Sequence, residues 1–186
     1  MGSGLDDYPR VEQPNQLSKQ HVDLMSWIFF FSEGLEKIAN YLNQSKPASF
    51  YGKKKMEMAK KILDECLDKT DLIFKDQVVK AKNEFIDTLV TKIGYISLFP
   101  FFTGVLDDSL YKNEKEFSKE YRDKVREVRK KLVEVMMDPS QLLSEDGIRS
   151  LSFSDPLYGT LDNYWRGAVW MPINYLILRA CKRHYA

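Results

Sequence analysis

Residues 95–106, YISLFPFFTGVL, carry apolar side chains on every side and no polar face. A helix of that kind has to be buried all round. Segments of the opposite sort stand beside it. Leu24, Ile28, Phe31, Leu35, Ile38 and Leu42 recur at intervals of 4, 3, 4, 3 and 4, which predicts an amphipathic helix over 18–43 with this stripe buried. Lys46 and Pro47 are expected to end it. A second helix is predicted over 50–67, with Met56, Ala59, Leu63 and Cys66 inside and Lys53, Lys54 and Lys55 as a solvated face. Phe117, Tyr121, Val125, Val128, Leu132 and Val135 mark a third, over 113–137, stopped at Asp138-Pro139. The last helix starts near Pro172, a suitable first-turn proline, and INYLILRAC within it is apolar on most sides. One-sided outer helices beside all-round apolar inner ones predict an all-α fold, two helical layers arranged as a ring. No internal repeat of fixed period suggests a solenoid. Within 68–93, DLIFKDQ reads as a short extended piece and VVKAKNEFIDTLVTKI as helix or strand, while 138–163 reads as a long polar loop, a length usually found in functional or disordered segments.

Several functions are excluded early. A chain of 186 residues is one domain by length. Its 28 Lys and Arg against 27 Asp and Glu leave a net charge of +1, so no global field recruits nucleic acid or an anionic membrane. Cys66, Cys181, His21 and His184 have no metal-ligand spacing; no metal site and no cofactor are expected. SWIFFFSEGL is interrupted by Glu33, far short of the roughly 20 residues a bilayer span requires. No secretory signal is visible either.

Three stretches resemble neither ordinary core nor ordinary surface. In SGLDDYPR, Asp6 and Asp7 are hemmed by Gly4, Tyr8, Pro9 and Arg10, which suits a site mouth or, equally, a turn or cap. GIRSLSFSDPLYG contains Arg149. DNYWRGAVWMPINYL sets Tyr164, Trp165, Trp170 and Tyr175 around Arg166. Sugars present apolar ring faces and rims of hydroxyls, so a site for them combines aromatic platforms with charged groups. The plainer readings are an aromatic core, and Arg149 or Arg166 paired with Asp155 or Asp162. Asp23 and Trp27, four apart, share a helix face and form either a sugar-binding wall or a solvated acid beside a core indole. A metal-diphosphate site of the terpene-synthase kind fits poorly, since DDYPR lacks a third acid and no second acidic cluster follows.

In order, SGLDDYPR, HVDLMSW, GYISLFPF, GIRSLS, YGT and NYWRGAVWMPINYL closely resemble the processing α-glucosidase I family, the mannosyl-oligosaccharide glucosidases of glycoside hydrolase family 63. The resemblance spans 3–186, loosely over 68–93. It implies an (α/α)6 toroid that removes, with inversion, the outermost glucose of an N-glycan precursor in the endoplasmic reticulum lumen, the full-length protein being membrane-anchored outside this chain. By residue it implies Asp6 as general acid, with Asp7, Tyr8, Arg10, Asp23, Trp27, Arg149, Tyr164, Trp165, Arg166 and Trp170 lining the glucose pocket. Inversion needs a protonated carboxyl on one side and, roughly 6.5–9.5 Å away, a carboxylate that activates water. Burial against Tyr8 and the tryptophans is expected to keep the acid protonated.

Two positions depart from the family pattern. Lys19 stands where some relatives carry an acid, four before Asp23. The family's base, a glutamate in a WEQY-like stretch, has no counterpart here, and Glu12, Glu33 and Glu145 lie in other contexts. The expectation is therefore a single partial catalytic domain, five or six helices of twelve, inactive alone, with exposed inner helices that favour self-association. The alternatives are a carbohydrate-binding or helical interaction domain without hydrolysis, and a trehalase-like glycosidase with another substrate. Asn43-Gln44-Ser45 is a glycosylation sequon, compatible with a luminal location.

Overall fold

The computed structural model describes residues 4–10, 16–82 and 84–185. Among these, five α-helices make the architecture all-α: α1 (Val22–Tyr41), α2 (Ser45–Lys61), α3 (Tyr95–Thr103), α4 (Lys119–Met136) and α5 (Met171–Tyr185). Helices α1 and α5 both pack on α3, while α2 packs on α1 and α4 on α3. The result is a row of α1, α3 and α5, with α2 beside α1 and α4 beside α3.

The all-round apolar segment behaves as its composition requires. Every residue of α3 is buried. Each large side chain there contributes roughly 1.5–3 kcal/mol, which together outweighs the ~3 kcal/mol cost of a proline inside a helix, here Pro100. Gly104 ends α3 at φ +101°, a left-handed cap that a Cβ would strain. In α4 the predicted stripe is the buried one, with Val125, Val128, Leu132 and Val135 facing inward. Ser118 caps it by accepting the Tyr121 N–H at 3.2 Å. Helix α2 runs on into a π-helical turn, Ile62–Cys66, that keeps Ile62, Leu63 and Cys66 in the core. Burial pushes the Cys66 thiol up to about 12.

Helix α1 differs from expectation in its start, its end and its orientation. The expected first residues instead form β1 (Gln16–Gln20). Pro47 does not stop α1; it is the third residue of α2, where a helix has N–H groups to spare. The turn between them is made by Asn43 at φ +55°. The stripe predicted as buried is the exposed one: Leu24, Phe31 and Ile38 are 42, 62 and 57 % accessible. Val22, Asp23, Met25, Ser26, Phe29, Ser32 and Ala39 face inward instead. Asp23 and Ser26 can take the inner face because each has a partner there: Asp23 meets Arg10, and Ser26 donates to the Val22 carbonyl at 2.7 Å. Likewise α5 buries only Ile177 and Ala180, and Met171, Tyr175 and Leu178 are exposed.

The segment left open between helix and strand contains strands. β2 (Gln77–Lys82) and β3 (Glu84–Leu89) pair antiparallel, and β1 joins the other edge of β2 to give the order β1-β2-β3. Within the expected loop 138–163, β4 (Leu143–Ser144) and β5 (Gly147–Ile148) form a short hairpin. No helix among the described residues is long and apolar enough to cross a membrane.

Candidate active site

The six sequence segments singled out above meet in one hydrogen-bonded patch. Residues 4–10 form a turn, with the Tyr8 N–H donating to the Leu5 carbonyl at 3.3 Å. The Asp7 carboxylate accepts the backbone N–H of Trp165 at 2.7 Å, and Arg166 Nε donates to the Asp7 carbonyl at 2.9 Å. Arg166 also donates to the Thr160 hydroxyl at 3.0 Å, while its carbonyl accepts the Gly159 N–H at 2.7 Å. Ser150, in GIRSLS, accepts the Gly167 N–H at its hydroxyl, 2.9 Å, and the Tyr95 N–H at its carbonyl, 2.9 Å.

At the other end of the turn, Arg10 reaches away from Trp165. Its guanidinium is buried between two carboxylates, Asp23 on α1 and Asp76 just before β2, the latter at 2.6 Å. Asp76 in turn accepts the Val22 N–H at 2.9 Å. Burial, aided by the neighbouring Asp23 charge, pushes the Asp76 carboxyl above its ordinary value, against the pull of Arg10. The turn is thus clamped twice, by Asp7 to the 164–166 segment and by Arg10 to α1 and the sheet.

Between the clamps, Asp6 is exposed whereas Tyr8 is buried. The burial expected around Asp6 is therefore not found among the described residues; it falls on Tyr8, whose phenol burial pushes well up. Among the described residues no cation pairs with Asp6. Asp7 and the acids around Tyr8 are engaged: Asp7 with Trp165 and Arg166, Asp23 and Asp76 with Arg10, and Asp155 with Lys92 at 3.0 Å. The suggested pairing of Arg149 or Arg166 with Asp155 or Asp162 does not occur.

The aromatic residues of the last segment do form one cluster. Trp165 and Trp170 stack at 4.2 Å with their planes 8° apart, and Tyr164 meets Trp170 edge-on at 4.9 Å. Trp170 Nε1 donates to the Tyr164 carbonyl at 2.8 Å. Tyr164 is 45 % exposed while Trp165 is buried, so this cluster has a wet edge and a dry one, as a sugar-stacking wall does.

Two residues expected to line the pocket have aromatic neighbours outside the Trp165–Trp170 pair. Trp27 packs with Phe30, Phe31, Phe99 and Phe102 on the α1–α3 seam, so its ring contacts are not with Trp165 or Trp170. Arg149 lies over the Phe153 and Tyr158 rings at 5.2 and 5.8 Å and donates to the Pro139 carbonyl at 3.0 Å. Glu12, discounted as a base on sequence grounds, lies outside the described residues.

The sequence reading assigned no role to Asp76, Tyr95 or Asn174. The Tyr95 hydroxyl donates to the Ile148 carbonyl at 2.7 Å and accepts from the Trp170 N–H at 2.9 Å and Asn174 Nδ2 at 3.0 Å. Burial pushes that phenol up to about 12, so it stays neutral and serves as donor and acceptor together. Tyr95 thereby fixes where Trp170 begins α5. Both Tyr95 and Asn174 fall inside quoted segments, which was the available signal.

Gly94 lets this patch close. A Cβ there would sit 2.5 Å from the Tyr8 hydroxyl and closer still to the Ser150 carbonyl, and the latter is backbone held by Tyr95. Gly94→Ala is expected to cost about 1–3 kcal/mol as overpacking. The denaturant midpoint measures it; an unchanged midpoint would show that the turn and the segment at Ser150 can part freely.

Comparison with known proteins gives a consistent result. The family model described as the glycosyl hydrolase family 63 C-terminal domain matches residues 1–186. A probable mannosyl-oligosaccharide glucosidase of Schizosaccharomyces pombe is 33% identical over 185 residues, covering 100% of this chain and 20% of that protein. The mannosyl-oligosaccharide glucosidase of Saccharomyces cerevisiae is 30% identical, covering 98% of this chain and 20% of the relative. The chain thus spans about a fifth of the length of the curated relatives it matches. A solved structure named sialidase superposes with a TM-score of 0.66 at 14% identity, over 89% of this chain and 14% of that one. At that identity the likeness concerns the fold alone.

Proposed function

Because the chain belongs to the glycosyl hydrolase family 63 C-terminal domain family, we propose that it carries the acid side of an inverting exo-α-glucosidase site, part of an (α/α)6 toroid. In this reading the protein trims the terminal glucose from an N-glycan precursor oligosaccharide in the lumen of the endoplasmic reticulum. One observation supports it: a doubly clamped turn holds Asp6 exposed and, among the described residues, without an ion pair, while the next residue, Asp7, is bonded to the backbone of Trp165 in the Trp165–Trp170 stack.

The chemistry follows from that placement. A sugar stacked on the aromatic cluster turns its glycosidic oxygen toward the turn. Asp6 hands its proton to that oxygen as the bond to the anomeric carbon breaks. Arg166, held by Asp7 and Thr160, offers a fixed cation at the rim of the ring hydroxyls. The opposing carboxylate that activates water from about 6.5–9.5 Å away is, in this reading, a glutamate outside the 186 residues. The chain by itself is then inactive, and exposed Asp6 gains its dry surroundings only when that opposing wall is present.

The test uses protein in which both walls are present. It is offered an α-1,2-linked glucosyl oligosaccharide and, separately, trehalose, with proton NMR following the first anomer released. β-Glucose from the oligosaccharide, with trehalose left intact, is the expected result. α-Glucose appearing first contradicts inversion, trehalose cleavage favours a trehalase-like substrate, and binding without any cleavage favours a carbohydrate-binding domain.

A further inference from the structure

The turn between α1 and α2 holds a feature that the hydrolytic reading does not use. Asn43-Gln44-Ser45 has the form of an acceptor sequon, with a residue other than proline in the middle. All three residues are exposed. Asn43 stands at φ +55°, a left-handed conformation that asparagine tolerates, and its N–H donates to the Asn40 carbonyl at 3.0 Å. That bond fixes the backbone and leaves the side chain outside the fold. Among the described residues nothing hydrogen-bonds its side-chain amide. Two residues earlier, Tyr41 is 87 % exposed, and Phe50 on the facing turn of α2 is 63 % exposed. An aromatic ring so fully in water at a turn lacks a partner of its own, and the apolar face of a pyranose is a suitable one.

We propose that Asn43 is an N-glycosylation site and that Tyr41 is the platform for the first sugar of the attached glycan. The donor is an oligosaccharyl diphosphate lipid. The Asn43 side-chain nitrogen bonds to the anomeric carbon as the carbon–oxygen bond to the diphosphate breaks. The lipid diphosphate leaves, and the amide proton passes to a base of the transferase. Ser45, exposed at the first position of α2, supplies the hydroxyl by which such a transferase recognises the acceptor. The finished glycan shields Tyr41 and Leu42 without disturbing α1 or α2, because neither side chain is part of the core. This site is independent of whether Asp6 acts as an acid.

The protein is purified from the cells that make it and digested, and the peptide containing Asn43 is weighed before and after treatment with a peptide N-glycosidase. A glycan mass lost on treatment, with aspartate left at position 43, is expected. The variant Asn43→Asp keeps a residue at ease in the left-handed turn and should lose the glycan, as should Ser45→Ala. Recovery of the unmodified peptide overturns the proposal, including in protein that never enters the secretory pathway. Tyr41 should react with tetranitromethane several-fold faster once the glycan is removed. Equal rates on a glycosylated protein overturn the role given to Tyr41.

Discussion

In protein that contains both walls of the site, Asp6→Asn should cut glucose release severely while leaving the fold intact. A positioned general acid contributes about 10²–10⁴-fold, and an amide of the same shape cannot give up a proton in its place. The loss should fall on kcat, because Asp6 makes no ion pair or hydrogen bond among the described residues that binding or folding would miss. Asp7, one residue on, is different: it holds Trp165 and Arg166 in place, and its loss should disturb binding and structure together. The decisive control is a substrate that needs no protonation. An α-glucosyl fluoride should recover much of the lost rate in Asp6→Asn, since fluoride departs unaided. Normal turnover of the natural substrate in this variant removes Asp6 from the acid role.

Arg10→Met should be the most damaging single change to stability. It leaves the Asp23 and Asp76 carboxylates buried against each other with no cation between them. Breaking a buried pair from one side costs about 3–5 kcal/mol, a large part of a domain's margin. The loss should also have an unusual pH dependence. Asp76 already lies above its ordinary value through burial and the Asp23 charge, with Arg10 pulling it down. Without Arg10 it rises further. A carboxyl raised in the folded state binds its proton more tightly there than in the unfolded chain. Its contribution is complete below the ordinary carboxylate value and is lost as pH climbs through the raised one. The variant should therefore have a higher urea midpoint at about pH 4 than at about pH 7. A midpoint that falls on acidification would mean that Asp76 is not the group left stranded.

How much of this was legible in the sequence depended on whether a signal was local. The α3 and α4 helices were readable because one has no polar face and the other a single apolar one. The α1 stripe was equally periodic and was misassigned, since periodicity finds an apolar face without saying what lies against it. Asp23 and Ser26 occupy the inner face because of Arg10 and a neighbouring carbonyl, neither visible in a helical pattern. The sheet was undecided because β2 and β3 alternate weakly and β1 finds its partner some sixty residues away. In the site, the turn and the 164–170 segment were recognised through family resemblance, and hydrogen bonds join them. Trp27 and Arg149 came with the same resemblance, and their ring neighbours are Phe99 and Phe102 for Trp27 and Phe153 and Tyr158 for Arg149. Asp76 could not be foreseen: only the folded chain shows that an acid in an ambiguous stretch completes the charge balance of Arg10.

The bond between Asp7 and Trp165 joins residues 158 positions apart. Closing so long a loop has an entropic cost that must be met before the contact gives anything back. During synthesis the first turn leaves the ribosome long before its counterpart exists, and every helix but the last can pack in the interval. Docking of the 4–10 turn on the 164–166 segment is thus a late event, which follows the packing of α1 to α4.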